Sequence, residues 1–221
     1  MTKPATLSLD TNTAFPGPNG PQQFFYNLQC CQSPLNTDTF VKKPRTMQSR
    51  LILMRHAKSD HSDGTLSDHD RPLNPRGRGD CPRMADWLTE QELQPDLVLS
   101  SSAVRTQQTV QLMAENWPES VRIIYLEDLY LSGPETMLQC LKTHAGESKS
   151  VMILCHNPGV SILASHLAGQ SLAMPTAAIA VFDVAGPESD VQGGDAGQSP
   201  LTGFGPMSQC QLAAFITPKT L

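Results

Sequence analysis

Two histidines each stand at the end of an apolar run. Leu51-Ile52-Leu53-Met54 leads into Arg55-His56, and Val151-Met152-Ile153-Leu154-Cys155 leads into His156-Asn157-Pro158-Gly159. A third run, Leu97-Val98-Leu99, leads through Ser100-Ser101-Ser102 to Ala103-Val104-Arg105-Thr106. Two guanidiniums, each a fixed fork of N–H donors, match the oxygens of a tetrahedral anion. Amides at the start of a helix following Ser102 would add partial positive charge. A neutral imidazole beside a phosphate held in this way can attack phosphorus and form a covalent intermediate. The arginines and the second histidine would then stabilise charge on the equatorial oxygens. The chemistry within reach is phosphoryl transfer, with one of the two histidines as nucleophile and the other, with Arg55 and Arg105, around the phosphate.

Such a site needs the three runs to end at one edge. Each is short and apolar, as a strand covered on both faces would be. Between them lie helical patterns. Pro75 to Glu90 has Asn74 as N-cap, proline at its first position, and Cys81, Met84, Ala85 and Leu88 on one face. Helices are also predicted over 103–115, 134–144 and 158–167, and further strands over 121–125, 177–184 and 211–216. Strands alternating with helices predict an α/β fold, a three-layer α/β/α sandwich around a mostly parallel central sheet. In such sheets ligands bind beyond the carboxyl ends of the strands, which is where Arg55-His56 and His156 fall.

The chain has 221 residues and a formal net charge of -5, which suits one domain with additional segments and argues against a nucleic-acid binder. No apolar run reaches the 18 residues of a membrane span, and no apolar signal segment follows Met1, so the expected location is cytoplasmic. Residues 1–48 are proline-rich and polar without periodicity, and are expected to form a disordered N-terminal extension to a domain over 49–221. Met47, close before the first strand, is an alternative translation start. Gly186 to Ser208 reads as a mobile loop. The cysteines at 30, 31, 81, 140, 155 and 210 lack metal-ligand spacing and there is no His-Glu-x-x-His, so no metal and no cofactor is expected. None of the six is followed six positions later by the arginine that cysteine-phosphatase chemistry requires.

The run Arg55-His56-Ala57-Lys58-Ser59-Asp60 resembles the signature of the histidine phosphatase superfamily, which includes phosphoglycerate mutase. Its spelling is nearest to the SixA group of phosphohistidine phosphatases. Asp68-His69-Asp70-Arg71-Pro72-Leu73-Asn74, Pro95 to Ser101 with Arg105-Thr106, Cys155 to Gly159, and Pro175-Thr176 carry the same resemblance. It implies a phosphoglycerate mutase-like fold. It also implies a phosphorylated His56, with Arg55, Arg105 and His156 around the phosphate and Lys58 and Ser59 as further contacts. The general acid of the larger superfamily is a glutamate, for which Glu127 is the candidate here. Cys155 stands where the family commonly has glycine.

The short connection from Ser59 to Pro75 predicts an open site, and a phosphohistidine needs less leaving-group assistance than an ester. Both favour a phosphorylated protein as substrate, such as a histidine-containing phosphotransfer domain. A small-molecule phosphomonoesterase using the same machinery is the alternative, and a non-catalytic phosphate-binding module a third reading. A mutase would need a closed, water-excluding pocket. Arg71 is expected to brace its loop through Asp68 or Asp70, and Asn157 and Thr176 to orient their neighbours.

Overall fold

The computed structural model describes residues 49–185, 199, 201–204 and 210–221. The expected N-terminal extension and most of the expected 186–208 loop lie outside the described residues. Among the described residues the chain runs β1 (Ser49–Arg55), α1 (Pro75–Glu90), β2 (Leu97–Ser101), α2 (Val104–Ala114), β3 (Arg122–Leu126), a 3-10 turn (Glu127–Leu129), α3 (Pro134–His144), β4 (Ser150–Cys155), α4 (Gly159–Ala168), β5 (Ile179–Val184) and β6 (Cys210–Ile216).

Side chains along β1 alternate between two cores because successive strand residues face opposite sides of a sheet. Leu51 and Leu53 pack with Met137 and Leu141 of α3 and Val160 and Leu163 of α4. Ile52 and Met54 pack with Met84 and Leu88 of α1 and Val110 and Met113 of α2. The result is the expected three-layer α/β/α sandwich. All four apolar residues of β1 are fully buried, each contributing about 1.5–3 kcal/mol relative to exposure.

The six strands lie in the order β3-β2-β4-β1-β5-β6. β1, β2, β3 and β4 are mutually parallel where they pair, whereas β5 runs antiparallel to both β1 and β6. The described part of the 186–208 segment is packed rather than free, with Leu201 and Phe204 fully buried in the α3/α4 core.

Register is what assembles the site. Arg55 lies opposite Cys155, and Ser100 lies opposite Leu154. The next residues along these parallel strands, His56, His156 and Ser101, therefore emerge together at one edge. Two glycines let the flanking loops press in. A Cβ on Gly77 would meet the Lys58 carbonyl oxygen at 2.2 Å, and one on Gly159 would meet the Ser132 carbonyl oxygen at 2.0 Å.

Candidate active site

The backbone of His56 is held from both sides. Its N–H donates to the Cys155 carbonyl (3.1 Å), and its own carbonyl accepts from Ala177 (3.1 Å). The Ala57 N–H donates to Thr109 Oγ1 (3.1 Å), whose hydroxyl donates in turn to the Arg105 carbonyl (2.7 Å). The turn after β1 is thus tied directly to α2. Within it the His56 ring folds back so that Nδ1 lies 2.7 Å from the Ala57 carbonyl. A carbonyl only accepts, so Nδ1 carries the hydrogen and Nε2 keeps its lone pair. His56 is buried at 7% exposure. Burial above all lowers its pKa to about 3; the Ala57 hydrogen bond opposes this, and the charges of Arg105, Arg55 and Arg71 add to it. The ring is neutral at physiological pH.

His156 has the opposite tautomer. Its Nε2–H donates to Ser101 Oγ (2.8 Å), and Nδ1 accepts from Arg105 Nη2 (3.1 Å). Burial, then the neighbouring His56 and Arg105, lower its pKa to about 3 as well. The two imidazole rings lie 5.1 Å apart, tilted by 54°.

Arg105 is 2% exposed. It donates from Nη1 to the Asp68 carbonyl oxygen and from Nη2 to Asp68 Oδ2 (3.0 Å). Arg55 donates from Nη1 to the Met174 carbonyl (3.0 Å), which also accepts from Asn157 Nδ2 (3.0 Å). Burial and the positive charge of Arg105 lower the Arg55 pKa from its usual value. Two partly desolvated cations close together are costly unless an anion joins them. Each guanidinium also keeps a buried Nε–H without a protein acceptor, a further cost of order 1–3 kcal/mol.

A pocket of about 260 Å³ gathers these groups. Arg55, His56, Arg105 and His156 line it, as do Lys58 and Ser59. Asn157 and Thr176 form part of its wall. The loop between Asp60 and Asn74 adds Asp68, Arg71 and His61, and Leu131 closes the rim. That loop is closely anchored: Ser59 bridges Leu73, Asp60 N–H donates to the Pro72 carbonyl, and Val104 N–H donates to the His69 carbonyl. The last contact uses the first amide of α2, so that amide serves the loop rather than an anion. Arg71 braces the loop by pairing with Asp68, as expected, and also donates to Ser59 Oγ (3.2 Å) and faces the pocket.

Glu127 is not in the pocket. It opens the exposed 3-10 turn, two residues before the buried Leu129. Tyr130 follows this turn and caps it, its N–H donating to the Glu127 carbonyl (2.8 Å). The carboxylate in the pocket is Asp68, which accepts from Tyr130 Oη at 2.7 Å. The Tyr130 ring stands edge-on to His156 at 5.5 Å and to His69 at 5.0 Å. Asp68 and Ser101 fell within runs that the sequence marked, but their roles were not readable there, and nothing in the sequence singled out Tyr130 or Thr109. Leu131 is half-exposed and held at φ 49°, a backbone region that β-carbon sterics disfavour. Cys155 packs as an apolar residue: its Sγ lies 3.6 Å from Met137 Sδ, and burial pushes its pKa to about 12. Among the described residues, no group of three or more His, Cys, Asp and Glu is placed to hold a metal ion.

Residues 51–130 match the model of the histidine phosphatase superfamily, branch 1. The chain is 36% identical to the protein Rv1276c of Mycobacterium tuberculosis over 162 residues, which are 68% of this chain and 98% of that one. It is 32% identical to phosphohistidine phosphatase SixA of Escherichia coli over 124 residues, 53% of this chain and 73% of the other. A crystal structure named as a SixA phosphohistidine phosphatase from Agrobacterium tumefaciens superposes with a TM-score of 0.62 at 27% identity, covering 77% of this chain and 98% of its own.

Proposed function

This chain belongs to the histidine phosphatase superfamily, and we propose that its phosphatase activity runs through a phospho-His56 intermediate and acts on phosphohistidine carried by a protein. The observation that carries the proposal is the tautomer of His56. Its Nδ1–H is committed to the Ala57 carbonyl, so Nε2 offers a lone pair in a ring that burial keeps neutral.

Arg55, Arg105 and His156 receive the phosphoryl group, with Lys58, Ser59 and Arg71 at its margin. The arginines bind equatorial oxygens and relieve their own mutual repulsion. His156, neutral when free, gains basicity once the dianion is bound and can donate to it. In the first step Nε2 attacks phosphorus of a phosphohistidine whose ring is protonated on its other nitrogen, and the P–N bond breaks with its electron pair staying on that ring, which leaves as neutral imidazole. In the second, water attacks phospho-His56 and phosphate leaves.

The preference for phosphohistidine rests on three points. Among the described residues no protonated carboxyl stands in the pocket, Glu127 lies outside it, and the similar Escherichia coli protein bears that activity as its name. A phosphomonoesterase is the second reading, favoured by the Asp68 carboxyl beside the site. The test compares a phosphohistidine protein with a panel of phosphate esters. The expected result is a clear preference for the former. His56→Ala should lose at least about a thousandfold in kcat/KM on every substrate; a variant that keeps full activity would end the proposal.

A further inference from the structure

The carboxylate of Asp68 occupies donors on two arginines of the pocket, Arg105 and Arg71. Oδ2 lies 3.0 Å from Arg105 Nη2 and 2.7 Å from Tyr130 Oη, and Oδ1 pairs with Arg71 Nη2. Its backbone carbonyl takes the other Arg105 terminal nitrogen. Both arginines line the pocket, and Asp68 lines it with them. The Arg105 nitrogen that holds Oδ2 also donates to His156 Nδ1. Asp68 therefore sits on two of the cationic groups of the pocket, on a loop rather than a strand, with its outer side in solvent.

We propose that Asp68 is an internal stand-in for the phosphoryl group, which substrate displaces from the arginines, and that once displaced it takes the proton of the hydrolytic water. The inference rests on the phospho-His56 reading above. The chemistry follows from who holds the carboxylate. In the free protein the Tyr130 hydroxyl, then Arg71 and Arg105, hold the Asp68 pKa well below the usual carboxylate range; such a carboxylate is a feeble base. When the phosphoryl oxygens take over Arg105 and Arg71, two of those three supports are withdrawn and an anion is placed nearby. Both changes restore basicity. Among the described residues, His56, Lys58, His61, Arg55 and His156 line the same pocket as Asp68, and His69 and Asp70 follow it along the loop.

The step balances without an added reactant. The oxygen of water forms a bond to phosphorus of phospho-His56, and one water proton passes to Asp68 Oδ2. The P–Nε2 bond breaks with its electron pair returning to Nε2. The proton on Asp68 then exchanges with solvent as phosphate departs and the carboxylate settles back onto Arg105 and Arg71. Product release is thereby assisted by the same group that opposed substrate entry.

Rapid-quench labelling with a ³²P-phosphohistidine protein tests both parts, using wild type, Asp68→Asn and Tyr130→Phe. The amide of Asp68→Asn keeps the shape but has no charge to compete and no basic oxygen. It should bind inorganic phosphate roughly tenfold more tightly, form phospho-His56 at an undiminished rate, and hydrolyse it about a hundredfold more slowly, so that labelled protein accumulates. Tyr130→Phe, which loosens Asp68 but leaves its carboxylate, should bind phosphate more tightly without accumulating label. If Asp68→Asn binds phosphate more weakly and is labelled more slowly, Asp68 only braces its loop and the proposal is overturned. Unchanged hydrolysis of the labelled variant overturns the proton-transfer role equally. Absence of label in wild type as well would instead refute the phospho-His56 reading.

Discussion

At the scale of single residues, position relative to neighbours decides more than type. His56 and His156 are both buried and neutral, yet hydrogen bonds of opposite sense expose Nε2 on one and commit it on the other. The four residues at the heart of the pocket were legible because each follows an apolar strand run or opens a helix. The carboxylate was not. Glu127 drew attention as an acid after a strand, but a 3-10 turn carries it outward. Asp68 reaches the site only through a loop whose path depends on tertiary hydrogen bonds. Leu131 offers a prediction at this scale. Its left-handed backbone costs about 1–2 kcal/mol, and a half-exposed side chain recovers little of that. Leu131→Gly should raise unfolding stability by up to about 1 kcal/mol after the added chain entropy of glycine, measurable by urea denaturation. A loss of more than that amount would mean that the leucine makes contacts worth more than its strain.

Secondary-structure elements act here as positioning devices. The bounds of α1 and α3 could be read directly because each opens on a proline at its first position, and Asn74 caps α1 through Gly77 N–H (2.8 Å). β5 was placed correctly along the chain, but its antiparallel direction follows from pairing partners that periodicity does not encode. Similarly, polar composition over 186–208 concealed Leu201 and Phe204, which fill core volume. The start of α4 packs so closely on the Ser132 turn that only glycine fits at 159. Gly159→Ala would drive a Cβ to 2.0 Å from a backbone oxygen and 2.8 Å from Met137 Cε. The Ser132 turn must then move, taking Leu131 and Tyr130 with it. The expected loss is about 1–3 kcal/mol of stability together with a fall in turnover, checked by thermal unfolding and assay. An alanine variant with wild-type stability and activity would show that α4 does not fix this turn.

For the whole molecule, the buried site couples folding to acidity. His56 and His156 have pKa values lowered to about 3 in the folded protein, against about 6.5 when unfolded. Between these limits the unfolded chain binds more protons, so stability rises with pH and is lost as pH falls from about 6.5 towards 3. Two such groups give a slope of up to roughly 2.7 kcal/mol per pH unit. Denaturation curves between pH 7 and pH 4 should show this loss, and it should shrink in His56→Ala. Saturating phosphate should also reduce it, because a bound anion favours protonated imidazole. A flat profile would mean that the histidines are far better solvated than their burial indicates. Among the described residues no helix is long and apolar enough to cross a membrane.

The 2.7 Å hydrogen bond from His56 Nδ1 to the Ala57 carbonyl also fixes regiochemistry. An imidazole can carry phosphate on either nitrogen, and the two isomers differ in hydrolytic lability and in the antibodies that detect them. With Nδ1 occupied, the phospho-His56 proposed above would carry its phosphate on Nε2, the tele isomer. An isomer-selective antibody therefore becomes a sensor of active-site architecture: tele-specific reagents should recognise the trapped protein, and pros-specific ones should stay silent.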